Sequence, residues 1–193
     1  MVVTGVDANE ALLADARERA AAEDLGERAE FLCADAESLP LADGSFDLVL
    51  CECSLCLFPD KAAAVGELHR VLRPGGRLAL ADVVAKRERL PQELRGALAT
   101  VACVGEALSA EELARLLEVT GFFISVMEVR RDDAAAMAAR VEDRLRGVRV
   151  VGGDAFDSVL VGGVDEAIEL ARLARREIDR SNLGYAILGA SRR

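Results

Sequence analysis

Hydrophobic and polar positions alternate along the chain in short blocks. Val2 to Val6 is a β-branched run closed by Asp7 and predicts a strand. Leu12, Leu13, Ala16 and Ala20 recur at helical spacing and predict a helix over Asn9 to Glu23. Glu30 to Ala34 is a second apolar run, where Cys33 is expected as a small buried hydrophobe. Ala42-Asp43-Gly44-Ser45 reads as a turn. Phe46 to Leu50 is so nearly continuous in apolar residues that a strand covered on both faces is expected.

Pro59-Asp60 opens a helix with Ala62, Val65, Leu68 and Leu72 on one face, which Arg73-Pro74-Gly75-Gly76 ends. Arg77 to Val83 predicts the fourth strand. Ser109 and Glu112 have capping-box spacing for a helix through Val119. Gly121 is a fitting stop, and Phe122 to Val129 predicts the fifth strand. A helix is expected around Ala134 to Leu145, followed by a Gly-containing stretch to Gly163. A second helix carries Ala167, Leu170, Ala171, Ala174 and Ile178 on one stripe. Tyr185 to Ala190 predicts the last strand. The order β-α-β-β-α-β-α-β implies an α/β fold with a mostly parallel sheet, read as a single domain over residues 1–193. Residues 132–183 are a helical insertion before the final strand. Its two amphipathic helices could cap a substrate site or form a homodimer contact.

Composition narrows the function. The 193 residues are 52% hydrophobic, enough for a core, and carry 34 acidic against 24 basic side chains, a net charge of −10. An acidic chain without a basic stripe is a poor nucleic-acid binder. No apolar run approaches the ~20 residues of a membrane span. The first residues lack the pattern of a signal peptide, and five cysteines are an odd number for a disulfide framework. The expectation is a cytoplasmic protein with reduced thiols, no membrane or nucleic-acid partner and a small-molecule ligand. Cys53-x-x-Cys56 resembles half of a zinc site, but no second pair follows and no metal is expected.

In open parallel sheets ligands bind beyond the carboxyl ends of the strands. Asp7, Asp35 and the Cys51-Glu52 pair stand at three such ends. An Asp in that position can accept hydrogen bonds from both ribose hydroxyls; Asp7 could equally be a helix N-cap. Asp35 could meet an adenine amino group or lie in a solvated loop. Asp82, at the end of the fourth strand, has the same two readings, and the solvated one is favoured.

The segments VTGVDAN, FLCADAESLPLADGSFDLVLCECSLCLFPD and ELHRVLRPGGRLALADV together resemble class I S-adenosylmethionine-dependent methyltransferases. The likeness is to the small-molecule group with the ubiquinone/menaquinone and arsenite methyltransferases, over about residues 2 to 130. It implies a Rossmann-like fold, S-adenosylmethionine as cofactor and a small-molecule methyl acceptor. By that resemblance Asp7 and Ala8 meet the cofactor ribose, Asp35 and Ala36 its adenine, and Cys51 its methionine portion. Leu55, Leu57 and Phe58 belong to the loop approaching the acceptor. Glu52 stands where a carboxylate could take a proton from it.

One part of the family pattern is absent. Its glycine-rich G-x-G-x-G loop follows a strand that lies between the counterparts of Val2–Val6 and Phe46–Leu50, and no G-x-G occurs in this chain. The expectation is an N-terminally truncated or degenerate member, in which the two flanking strands either pair directly or leave backbone groups unpartnered. A non-catalytic interaction module is the alternative to an enzyme. The segment Thr100 to Leu108 resembles the part of arsenite methyltransferases in which a cysteine binds arsenic. On that analogy Cys103 is a soft ligand with Cys53 or Cys56 as a second; packing under a helix is its other reading. His69, the one histidine, is expected near a helix C-terminus, where a positive charge suits the dipole.

Overall fold

The computed structural model describes residues 2–96, 103–152 and 162–193. In chain order the elements are β1 (Val3–Asp7), α1 (Glu10–Ala22), β2 (Ala29–Cys33), β3 (Phe46–Glu52), α2 (Lys61–Val71), β4 (Leu72–Ala85), α3 (Ala110–Thr120), β5 (Phe122–Arg130), α4 (Arg131–Gly152), α5 (Gly163–Asp179) and β6 (Leu183–Arg192). Of the segments singled out from sequence, Thr100 to Ala102 and residues 153–161 lie outside the described residues.

Helix boundaries follow local chemistry. Ser109 and Glu112 close the expected capping box on α3, and Gly121 ends it at φ +105°. A Cβ at Gly121 would also come within 3.1 Å of the His69 ring, so both backbone angle and close packing require glycine. Helix α1 is capped by Asn9, not Asp7. The Asn9 side chain accepts from the N–H groups of Ala11 and Leu12, while Asp7 Oδ1 accepts from the Asn9 N–H at 2.7 Å.

The strands form two sheets. One is the parallel pair β1–β2, in register from Val3 opposite Ala29 to Asp7 opposite Cys33. The other has the order β3-β4-β6-β5, with β3 parallel to β4 and β6 antiparallel to both β4 and β5. Side chains alternate across the second sheet, as the pleat demands. Leu78, Leu80, Ala186 and Leu188 pack with Val65 and Leu68 of α2 and Leu113 and Leu117 of α3. On the opposite face Ala85, Leu183 and Tyr185 meet Ala134 of α4 and Ile178 of α5. Helices α4 and α5 are clamped by Glu142, which accepts from Arg172 and Arg175 at 3.0 Å each.

The β1-α1-β2 unit contrasts with this. Leu13 and Ala20 are its only buried residues among those described, and neither belongs to a core cluster. Polar contacts of the β2–β3 connection hold it in place: Glu67 of α2 accepts from the Leu39 N–H, and Arg70 donates to the Leu39 and Leu41 carbonyls. Cys33, expected to be buried, is exposed at the end of β2, its thiol facing the Ala8 carbonyl. The direct pairing of the flanking strands does not occur; β1 and β3 lie in separate sheets. Cover on both faces of β3 fails as well, since Leu48 is 42% and Leu50 73% exposed.

His69 lies in the last turn of α2, as expected, but not as the cation that would suit the dipole. Its ring meets Phe122 edge-on at 5.1 Å, and burial together with nearby Arg192 lowers its pKa, disfavouring the cation. Arg192 supplies the positive charge at the end of α2, donating to the carbonyls of His69, Arg70 and Leu72.

Candidate functional site

The carboxyl ends of β2 and β3 lie on one edge of the molecule, joined by a hydrogen bond from the Asp60 N–H to Glu37 Oε1 at 2.7 Å. Asp7 ends β1 on the same edge, since β1 runs parallel to β2. The Asp7 and Asp35 carboxylates have like geometry. Each uses Oδ1 to accept an N–H two residues on, Asn9 at 2.7 Å and Glu37 at 2.9 Å. The second oxygen of each makes no hydrogen bond among the described residues, and both residues are exposed. Ala8 is exposed beside Asp7, its carbonyl facing the Cys33 thiol at 3.6 Å, and Ala36 is half-buried beside Asp35.

At the end of β3 the chain turns through Cys53, at φ +49°, into a 3-10 turn over Leu55–Leu57. Asp82 holds that turn. It is 2% exposed, which overturns the solvated reading, and accepts from the N–H groups of Cys56 at 3.0 Å and Val83 at 2.7 Å. These bonds offset the cost of burying the carboxylate. The turn buries Leu55, at 2%, in the core and leaves Leu57 on the surface. Of the loop's apolar residues, Leu57 is exposed and Phe58 half-buried, whereas the Leu55 side chain is taken up by packing. Cys51 likewise packs in the core, its thiol pushed up to about 11 chiefly by burial.

Three further side chains meet at this loop. Tyr185 of β6 donates to Glu52 Oε1 at 3.3 Å, and its hydroxyl lies 3.5 Å from the Cys53 thiol. Burial raises the phenol pKa, which keeps it a donor. Sequence reasoning missed Tyr185, the one tyrosine of the chain. It sits opposite Val83 in the β4–β6 register, next to the position that extends β3. Cys103 donates to the Cys53 carbonyl at 3.7 Å. It also shares a hydrogen bond with the Cys56 thiol, which lowers the Cys103 pKa and raises that of Cys56.

Among the described residues no group of three or more His, Cys, Asp or Glu is arranged to hold a metal ion. No described helix is long and apolar enough to cross a membrane. A cavity of about 10 Å³ lies under the loop, beside Cys56, Asp82 and Leu108. A larger one, about 320 Å³, lies between Pro91 and Glu93, which follow β4, and Leu170 and Arg176 of α5.

Comparison with known proteins matches this architecture. A family described as a methyltransferase domain matches residues 1–80. Methyltransferase GfsG of Streptomyces halstedii is 33% identical over 192 residues, 98% of this chain and 66% of that protein. An arsenite methyltransferase of Halobacterium salinarum is 35% identical over 126 residues, 62% of this chain and 30% of that one. This chain therefore spans less than two thirds of the length of these relatives. In structure, all of it superposes on 69% of a geranyl diphosphate methyltransferase solved with S-adenosylmethionine, at a TM-score of 0.75 and 16% identity, and on 66% of the [4+2]-cyclase SpnF, at a TM-score of 0.74 and 25% identity. In sequence and in fold the chain is similar to the class I S-adenosylmethionine-dependent methyltransferases.

Proposed function

We propose that the chain supplies the adenosine-binding side and the acceptor-binding side of a methyltransferase that acts on a small molecule. The observation that carries this reading is the pair of matching carboxylates at the ends of β1 and β2, each with one oxygen fixed and one open. Asp7, with Ala8, would take the ribose hydroxyls and Asp35, with Ala36, the adenine edge. S-adenosylmethionine, when bound, supplies an electrophilic methyl group. The residues present fit only the adenosine half. Cys51 is packed away in the core, and between β1 and β3 no described backbone approaches where the methionine half would lie.

On the acceptor side, the Glu52 carboxylate would take a proton from an acceptor that must lose one, and the hydrogen bond from Tyr185 would orient it. Phe58 and Leu57 would form the apolar wall. One observation favours a more specific acceptor. The Cys53, Cys56 and Cys103 positions converge at the same loop, where Cys103 donates to the Cys53 carbonyl and interacts with Cys56. A trivalent arsenic acceptor would suit such thiols, and a relative is an arsenite methyltransferase. Arsenite titrated against the chain should bind, and Cys103→Ser should abolish it; binding unchanged in that variant overturns the arsenic reading.

The adenosine half is tested by NMR titration of adenosine at millimolar concentration. The amides of Asp7 to Asn9 and Asp35 to Glu37 should shift, and Asp7→Ala should remove the response. No shift at either strand end would leave the non-catalytic module as the better reading.

A further inference from the structure

The five cysteines differ in what surrounds their thiols. Cys33 faces the Ala8 carbonyl, Cys51 packs in the core, and the Cys53 thiol lies 3.5 Å from the Tyr185 hydroxyl. Cys56 and Cys103 instead share a hydrogen bond with each other. Their remaining contacts give its direction. The Cys103 thiol donates its own proton to the Cys53 carbonyl at 3.7 Å, so Cys56 is the donor and the Cys103 sulfur the acceptor. Cys56 is 3% exposed, in the 3-10 turn that follows that carbonyl, and its N–H is held by Asp82. Cys103 is only half-buried and within reach of solvent. The backbone is constrained at the same place. Cys53 at φ +49° and Cys103 at φ +63° both lie in the left-handed region, which residues with a side chain rarely adopt.

We propose that Cys103 and Cys56 are an oxidisable pair, which a hydroperoxide converts into a disulfide. The bridge ties the turn after β3 to the segment that leads into α3. The pairing stands on the thiol contacts alone, whereas its consequence rests on the function proposed above. Leu57 and Phe58, the apolar wall for the acceptor, lie on the turn being tied, and bridged thiols are no longer free to hold arsenic. Oxidation thus switches the acceptor side off, and a thiol reductant switches it on again. The Cys53-x-x-Cys56 spacing takes a new meaning. Among the described residues only its second cysteine shares a hydrogen bond with another thiol.

Exposure and hydrogen bonding assign the roles. The thiolate is the nucleophile of a cysteine, and the bond from Cys56 lowers the Cys103 pKa while raising that of Cys56, which burial raises further. Cys103 is therefore the attacking sulfur and Cys56 the resolving one. The Cys103 thiolate attacks the outer oxygen of the hydroperoxide, and the O–O bond breaks. The alcohol leaves with the proton released from Cys103, which is now a sulfenic acid. The Cys56 sulfur then attacks the Cys103 sulfur and the S–O bond breaks, so that hydroxide leaves with the Cys56 proton as water. In sum the two thiols give up two protons and two electrons, and the hydroperoxide becomes an alcohol and a water.

The full chain, reduced and then freed of reductant, is treated with tert-butyl hydroperoxide and mapped by mass spectrometry. Cys103 should be found in a disulfide with Cys56, and dithiothreitol should restore both thiols. Hydrogen exchange at Cys56, Leu57 and Phe58 should slow by at least about tenfold in the bridged chain. Cys56→Ser should leave Cys103 as a sulfenic acid that dimedone traps, while Cys53→Ser should bridge as the unsubstituted chain does. A disulfide of Cys103 with Cys53 or Cys51, a bridge formed only in urea, or a Cys103 that stays reduced or ends as a dimedone adduct in the unsubstituted chain overturns the pair. That mapping decides the pairing even where a variant fails to fold. Arsenite is then titrated into the reduced and the bridged chain. Binding to the reduced chain that weakens at least about tenfold on bridging supports the switch. Equal binding to both forms overturns the arsenic reading and leaves the bridge standing, and binding to a chain that never bridges overturns the pair alone.

Discussion

The two halves of this chain solve the same packing problem with unequal means. The β3-β4-β6-β5 sheet has helices on both faces, and Leu72, Leu78, Leu80, Leu117 and Leu188 in its interior are at most 1% exposed. The β1-α1-β2 unit has the same kind of strands and a well-capped helix, but one sheet neighbour and almost no interior. Local signals build the elements in both. What separates them is that a parallel strand stabilises its neighbours only when both its edges and both its faces are occupied.

That difference can be broken most forcefully from the core side. Leu117→Ala should cost about 2–5 kcal/mol, read as a lower urea midpoint for the whole β3–β6 body. Leu13→Ala, also at a buried position but in the smaller unit, should lower global stability by less than about 0.5 kcal/mol while accelerating exchange in α1. Equal global losses would mean that the two halves unfold together.

A smaller effect should follow from Arg192→Met. This change leaves the carbonyls of His69, Arg70 and Leu72 without their shared donor. A loss of about 1.5–3 kcal/mol is expected in urea melts, the range for a hydrogen bond to a charged group. An unchanged midpoint would remove that cap from the account of the larger body.

The smallest effect is a pH dependence. His69 is held below its usual pKa in the folded chain, so the unfolded chain binds more protons just below about pH 6.5. Stability should therefore fall as pH drops through that window, and His69→Gln should flatten the fall. A second decline should begin below about pH 4.3, because Arg70 and Ser109 hold Glu67 and Glu112 below the ordinary carboxylate range. A rise in stability between about pH 7 and 5.5 would contradict the neutral imidazole.

How far the sequence revealed all this depends on the range of each interaction. The α3 capping box, the Gly121 stop and the order of strands were legible, because they rest on neighbours in the chain. The cap of α1 was not decided by the sequence, since both Asp7 and Asn9 are good caps and only the turn geometry separates them. The 3-10 turn that buries Asp82 brings together residues 26 apart, and Tyr185 reaches Glu52 across 133 positions. Neither contact leaves a local trace. Leu48 and Leu50 misled for a different reason: their pattern is that of a fully covered strand, an environment the described residues do not provide.

The inequality of the two halves is tested most directly by native-state hydrogen exchange, resolved by residue, on the chain alone. The account predicts that amides of β4 and β6 exchange only through global unfolding, while those of β1 and β2 exchange at least about 100-fold faster through local opening. Protection of β1 and β2 equal to that of β4 and β6 would contradict it.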